Sequence, residues 1–246
     1  MDPGSTSSLE RTGPQSAECI VVTTGKLIMP IKKDLLRTLL LTGLALGPTT
    51  AGSAEEPARR MVNGCPIVPA ALCAEFNLGG AKLAGADLAR ADFSRADLSG
   101  ADLRGAHLRN ADMEEVSLRG ANLRGAVLNE ADLKRADMHN VDLAHAHLIG
   151  ANLESANLPG ANLQEAQLRG INLSGAHLAG AKFAGAQLQR ANLHGAVLTG
   201  ADFRNANLTG ARLRNARLQG ADFSGAVLDE VDFTGALTDG CRGCPY

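Results

Sequence analysis

The stretch ADLSGADLRG, Ala96 to Gly105, spells Ala-Asp-Leu-x-x twice in succession, and nearly the same five letters recur on both sides of it. A period of five fits neither a helix, at about 3.6 residues per turn, nor a strand, at about 2.0. Followed outward, the frame runs from Phe76 to Gly235, 160 residues in 32 consecutive units without an insertion or deletion. The first position is Ala in 27 units, the exceptions being Phe76, Val116, Val141, Ile171 and Val231. The third is always large and apolar, the second is mostly Asp or Asn, the fourth is variable and polar, and the fifth is Gly in 18 units. Two inward residues in every five fit a chain that turns a corner at each unit and buries one side of it. That is a solenoid.

The strict unit resembles the pentapeptide repeat family, whose consensus is Ala-(Asp/Asn)-Leu-x-x. The resemblance implies an all-β fold, a right-handed parallel quadrilateral β-helix, with four units per coil and about eight coils. Residues 20 apart then stack at about 4.8 Å, giving a rod of roughly 38 Å. On that reading one interior column runs Leu83, Leu103, Leu123, Leu143, Leu163, Phe183, Phe203, Phe223. A second runs from Phe93 through Met113 and a series of Leu to Phe233, and a third, with Leu88, Leu108 and Leu128, is Leu throughout. Gly at the fifth position suits a positive φ at the corner. Ile171 and Phe76 put bulk where the family prefers a small residue, and Phe76, in the first coil, is expected to plug the end. Pro159 removes a backbone donor that a ladder between coils could use.

The composition agrees with a narrow interior: 45% of residues are apolar, yet there is no Trp, one Tyr and six Phe, so Leu and Ala must build the core. A formal net charge of −2 argues against a general attraction to nucleic acid or an anionic membrane.

Before the repeat, Lys32 and Lys33 precede an apolar run from Leu35 to Leu46 and then small residues to Ala54, the layout of a secretory signal peptide over 29–54. Cleavage after Ala54, with Gly52 at −3, fits this layout, and cleavage after Ser53, with Ala51 at −3, fits it nearly as well. The apolar run falls short of the roughly 20 residues needed to span a bilayer. Residues 1–28 resemble no part of a signal; a start at Met29 would remove them, whereas a start at Met1 would leave the signal internal, and a signal that is not used leaves the protein cytoplasmic. The expected organisation is therefore an extension at 1–28, a signal peptide at 29–54, a linker and lead-in at 55–72, the β-helix at 73–238 and a cysteine-containing tail at 239–246.

No Ser, His and acid stand in a catalytic relation, and a convex rod offers no pocket, so the expectation is a non-enzyme with no cofactor. The best metal candidate is His145 and His147, flanking one corner, with Glu165 one coil beyond His145. Among surface charges, Arg95, Glu115 and Arg135 share one column, and Glu114, Lys134 and Glu154 another; alternating signs one coil apart are favourable pairs. The resemblance also raises DNA mimicry toward gyrase or topoisomerase, the basis of quinolone resistance in some members. A rod of that length matches roughly 22 phosphates of duplex DNA, whereas the repeat carries 18 acidic against 16 basic residues.

Cleavage of the signal removes Cys19 and leaves Cys65, Cys73, Cys241 and Cys244. The first two precede the implied rod and the last two follow it, while a bridge needs Cα atoms within about 7 Å. The expected pairs are Cys65 to Cys73 and Cys241 to Cys244. The resemblance further implies a homodimer through the Phe-rich C-terminal end, with Phe223 and Phe233 at the contact. The sequence thus reads as an exported, periplasmic or secreted protein-binding rod, with no direct nucleic-acid binding and no membrane span in the mature form. The alternative is a cytosolic topoisomerase-binding DNA mimic.

Overall fold

The computed structural model describes residues 60–245, within one compact unit of the chain. The extension, the signal-like segment, Cys19 and the first part of the linker lie outside the described residues.

From Leu72 to Arg242 the backbone climbs in a continuous parallel ladder whose partners are 20 residues apart, beginning Leu72↔Asp92 and ending Asp222↔Arg242. Twenty residues hold four pentapeptides, and each ends in a turn, so the coil has four sides. The turn is closed by the N–H of the next first-position residue to the third-position carbonyl, as in Ala96 to Phe93 at 2.9 Å and Ala181 to Leu178 at 3.0 Å. Its fifth-position residue has a positive φ throughout, in Arg190 (60°) and Glu165 (55°) as in Gly180 (66°). That combination defines a type II turn, which explains the preference for Gly there.

The repeat letters follow from a complete accounting of backbone donors. The second-position N–H reaches the first-position carbonyl of the coil before, as Asp97 does to Phe76 at 2.9 Å. Third- and fifth-position N–H groups reach carbonyls of the coil after, as Leu98 to Ser117 at 2.7 Å and Gly100 to Arg119 at 2.8 Å. Only the fourth N–H has no carbonyl. The second-position Asp or Asn takes it with its side-chain oxygen, as Asp92 does for Ser94, Asp97 for Ser99 and Asn207 for Thr209, at 2.9 to 3.0 Å.

Pro159 occupies that fourth position, so the expected loss of a ladder donor does not occur. Its missing N–H belongs to the group the ladder leaves aside, type II turns favour Pro there, and its carbonyl still accepts from Asn140 at 3.1 Å.

First- and third-position side chains fill the interior, and no polar or charged side chain is buried among the described residues. Leu83, Leu103, Leu123, Phe183 and Phe203 are completely enclosed, and Phe223 is 2% exposed. Ile171 is also enclosed, and it has Ala151 and Ala191 in the same column one coil away on either side. Val116, between Ala96 and Ala136, and Val141, between Ala121 and Ala161, follow the same rule: one bulky residue fits where both neighbours are methyls.

At the N-terminal end the stretch expected to be lead-in contains a β-hairpin, β1 (Met61–Val62) and β2 (Cys65–Pro66), paired antiparallel. Asn63 and Gly64 both have positive φ, the two-residue turn that suits a hairpin. The hairpin closes the first coil. Asn63 Nδ2 donates to the Asn77 carbonyl at 2.8 Å, the Arg60 guanidinium donates to the Lys82 carbonyl, and Phe76, half-buried, packs beside Gly64. Cys65 and Cys73, both completely buried, form a disulfide with Cα atoms 5.4 Å apart.

Candidate functional site

Because the interior is consumed by packing, chemistry is confined to the second, fourth and fifth positions, which line the faces and four edges of the rod. On the edge that carries Arg95, ion pairs form a ladder: Arg95 lies 3.5 Å from Glu75 and 4.0 Å from Glu115, and Arg135 lies 2.9 Å from Glu115. The second expected column does not pair as such. Among the described residues Lys134 has no ion pair with Glu114 or Glu154, because Glu114 is taken by Arg135 at 2.6 Å.

On the edge after the Leu103 column Arg124 lies 3.5 Å from Asp142 in the next coil, while Arg104 and Arg204 pair within their own units. Arg104 donates twice to Asp102, at 2.8 and 2.7 Å, and Arg204 does the same to Asp202. Those bonds hold the Asp102 carboxyl down to about 2 and shift that of Asp202 the same way. Asp97, Asp222 and Asp232 are lowered chiefly by the hydroxyls of Ser99, Ser224 and Thr234. On a third edge Arg119 reaches Asp137 at 2.8 Å, and the His139 ring bonds the same carboxylate.

Of the metal candidates, His145 Nδ1 lies 3.4 Å from Glu165 Oε2, and both side chains are exposed. They border an open concavity of about 360 Å³ shared with Arg124, Ala144 and Gly185. His147 is not part of it, and among the described residues no three His, Cys, Asp or Glu side chains are placed to share a metal ion.

The C-terminal end differs from the N-terminal one. Phe183 and Phe203 stack at 4.7 Å and Phe203 and Phe223 at 4.6 Å, while Phe233 meets Phe223 edge-on at 6.0 Å. Phe233, Leu228 and Val231 are only partly buried, and Val227 and Leu237 are exposed. The N–H groups of Leu228, Glu230, Phe233 and Gly235, which earlier coils pass upward, have no partner among the described residues. The cysteine-containing tail adds one more rung, with the Phe223 N–H donating to the Arg242 carbonyl at 2.8 Å, and Cys241 and Cys244 are disulfide-bonded beside it.

A family model described as pentapeptide repeats matches in 8 copies, over residues 73–110, 111–143, 136–175, 171–210 and 206–237. Among solved structures, the chain is 30% identical to HetL, a pentapeptide repeat protein involved in heterocyst differentiation regulation from the cyanobacterium Nostoc sp. strain PCC 7120. That match covers 71% of this chain and 88% of HetL, with a TM-score of 0.53. A pentapeptide repeat protein of the Arabidopsis thaliana thylakoid lumen is 33% identical over 39% of this chain and 67% of its own, with a TM-score of 0.38. QnrB1, a plasmid-mediated fluoroquinolone resistance protein, is 20% identical over 69% of this chain and 90% of its own, with a TM-score of 0.32. No curated protein matches the chain.

Proposed function

Because the chain belongs to the pentapeptide repeat family, with its right-handed quadrilateral β-helix, we propose that it is an exported, non-enzymatic rod of about eight coils that binds other proteins. The observation that carries this reading is the division of labour along the chain. The first and third positions are spent on the core, the second largely on turns and ladders and the fifth on a turn that favours Gly, so the fourth varies most freely, and the fourth- and fifth-position side chains lie in straight columns on four edges. Such a surface presents side chains at a fixed spacing without enclosing a substrate. Export is supported by four cysteines held as two local disulfides, one at each end, an arrangement suited to an oxidising compartment.

The open apolar layer around Phe223 and Phe233 supports self-association through the C-terminal end, since an uncovered strand edge is a template for pairing. The DNA-mimic alternative fits less well. The aspartates of the second position are turned to Ser and Thr hydroxyls, turn N–H groups and arginines, and the repeat is close to neutral.

A photo-crosslinking residue placed singly at Gln164, Ser174, Ala179 and Gln189 samples the four edges. Discrete protein adducts from at least one edge in the exported protein support the rod as a binding surface; no adduct from any edge contradicts it.

A further inference from the structure

The four edges are not electrostatically equivalent. On three of them every arginine at a fourth or fifth position is ion-paired: Arg95 and Arg135 with Glu115, Arg104 with Asp102, Arg119 with Asp137, Arg124 with Asp142, Arg204 with Asp202 and Arg214 with Asp232. On the edge that follows the Leu88 column, Arg90, Arg109, Arg169 and Arg190 are all exposed, and none has an ion pair among the described residues. Arg169 and Arg190, on successive coils, line a concavity of about 340 Å³ with Gln189 and Thr209. The neighbouring second positions there are Asn172, Asn192 and Arg212, so no carboxylate stands beside the pair. From 166 to 217 the chain has seven basic residues and one acidic one, Asp202, which belongs to Arg204 on another edge. Between the two arginine pairs lie Ile149, an exposed large apolar side chain at 38%, and a single acid, Glu130.

We infer that this edge is a docking rail for an extended acidic segment of a partner protein, with Arg169 and Arg190 as its main anchor. The inference rests on the protein-binding reading above and names the partner's chemistry. Unneutralised guanidinium groups seek carboxylates, which they can grip with paired hydrogen bonds. Arg90 and Arg190 are five coils apart, about 24 Å at the ladder spacing, a length covered by about seven residues of extended chain. The apolar Ile149 midway favours a peptide with an apolar residue among its acids over a uniformly charged polymer.

The test uses the whole folded chain and a fluorescently labelled Glu/Asp peptide of that length with a central Leu, read by anisotropy. Binding that weakens with added salt, falls by roughly tenfold or more in R169E/R190E and in R169Q/R190Q, and persists in the paired-edge control R104Q/R204Q, supports the rail. Circular dichroism of each variant confirms that these exposed changes leave the fold intact. Equal binding to wild type and R169E/R190E, no binding to wild type, or tighter binding of a sulfated polysaccharide or single-stranded oligonucleotide than of the peptide overturns it. Each of those results leaves the crosslinking test of the broader reading intact: adducts at Gln164, Ser174 or Ala179 but none at Gln189 reject this rail and keep the scaffold.

Discussion

Phe183 and Phe203, one coil apart, stack with ring centroids 4.7 Å apart and planes only 2° from parallel. Their separation is the spacing of hydrogen-bonded strands, so the ladder sets the distance and the rings fill it. Phe203 also stacks on Phe223 and is completely enclosed. Phe203→Ala is expected to destabilise the rod by about 3–5 kcal/mol in urea unfolding. Phe203→Leu, which restores the residue found at Leu163 in the same column, should cost clearly less. Equal costs would show that the stacked ring itself, rather than the space it fills, carries the stability.

The fourth N–H lies outside the ladder, and the second lies inside it. In the unit Ala196 to Gly200, Thr199→Pro should therefore leave the thermal midpoint nearly unchanged. Val197→Pro, which deletes the 2.9 Å bond to the Ala176 carbonyl, should lower stability by about 1–3 kcal/mol. Comparable losses for the two variants would contradict the accounting of donors.

The hairpin cap depends on its clip. Cys73→Ser, or reduction of the Cys65–Cys73 disulfide, should cost about 2–3 kcal/mol for a loop of this length. Hydrogen exchange should quicken first at Leu78, Leu83 and their coil rather than at mid-rod positions such as Leu158. Uniform loss of protection along the rod would show that the hairpin is not a local cap.

The lowered carboxyls of Asp97, Asp102, Asp202, Asp222 and Asp232 add stability above their ordinary value of 3.8, and that stability is lost as pH falls through their folded-state values. For Asp102 the window runs from 3.8 down to about 2. Their contribution to the thermal midpoint should be full at pH 5 and decline between pH 4 and pH 2. Asp102→Asn together with Asp202→Asn should flatten part of that decline; an unchanged slope would mean that these bonds are too solvent-exposed to matter.

The C-terminal layer predicts self-association. Native mass spectrometry of the wild type should show a concentration-dependent dimer, and Phe233→Lys should be monomeric at every concentration. A native mass unchanged by Phe233→Lys rules out this end as the contact.

The solenoid was legible because the signals that build it repeat 32 times: Ala and Leu for the core, Asp or Asn for the orphan N–H, Gly for the positive φ. Ile171 and Pro159 were not legible one at a time, since each is understood only against what its neighbours provide, alanines above and below for the first and an unused donor for the second. The Asn63-Gly64 pair carries a hairpin signal in the sequence, masked by the polar, linker-like residues around it. The arginine edge was invisible for a different reason: charge counts are blind to which carboxylate each guanidinium reaches. His145 and His147 show the converse, close in sequence yet on different sides of a corner, so that only His145 meets Glu165.

The most direct test of the account is the intact mass of the protein from fractionated cells, with and without reduction before thiol alkylation. An exported rod predicts a periplasmic or secreted species beginning near Glu55, in which four thiols react only after reduction. A cytoplasmic species that retains Met1 or Met29 and carries free thiols contradicts it.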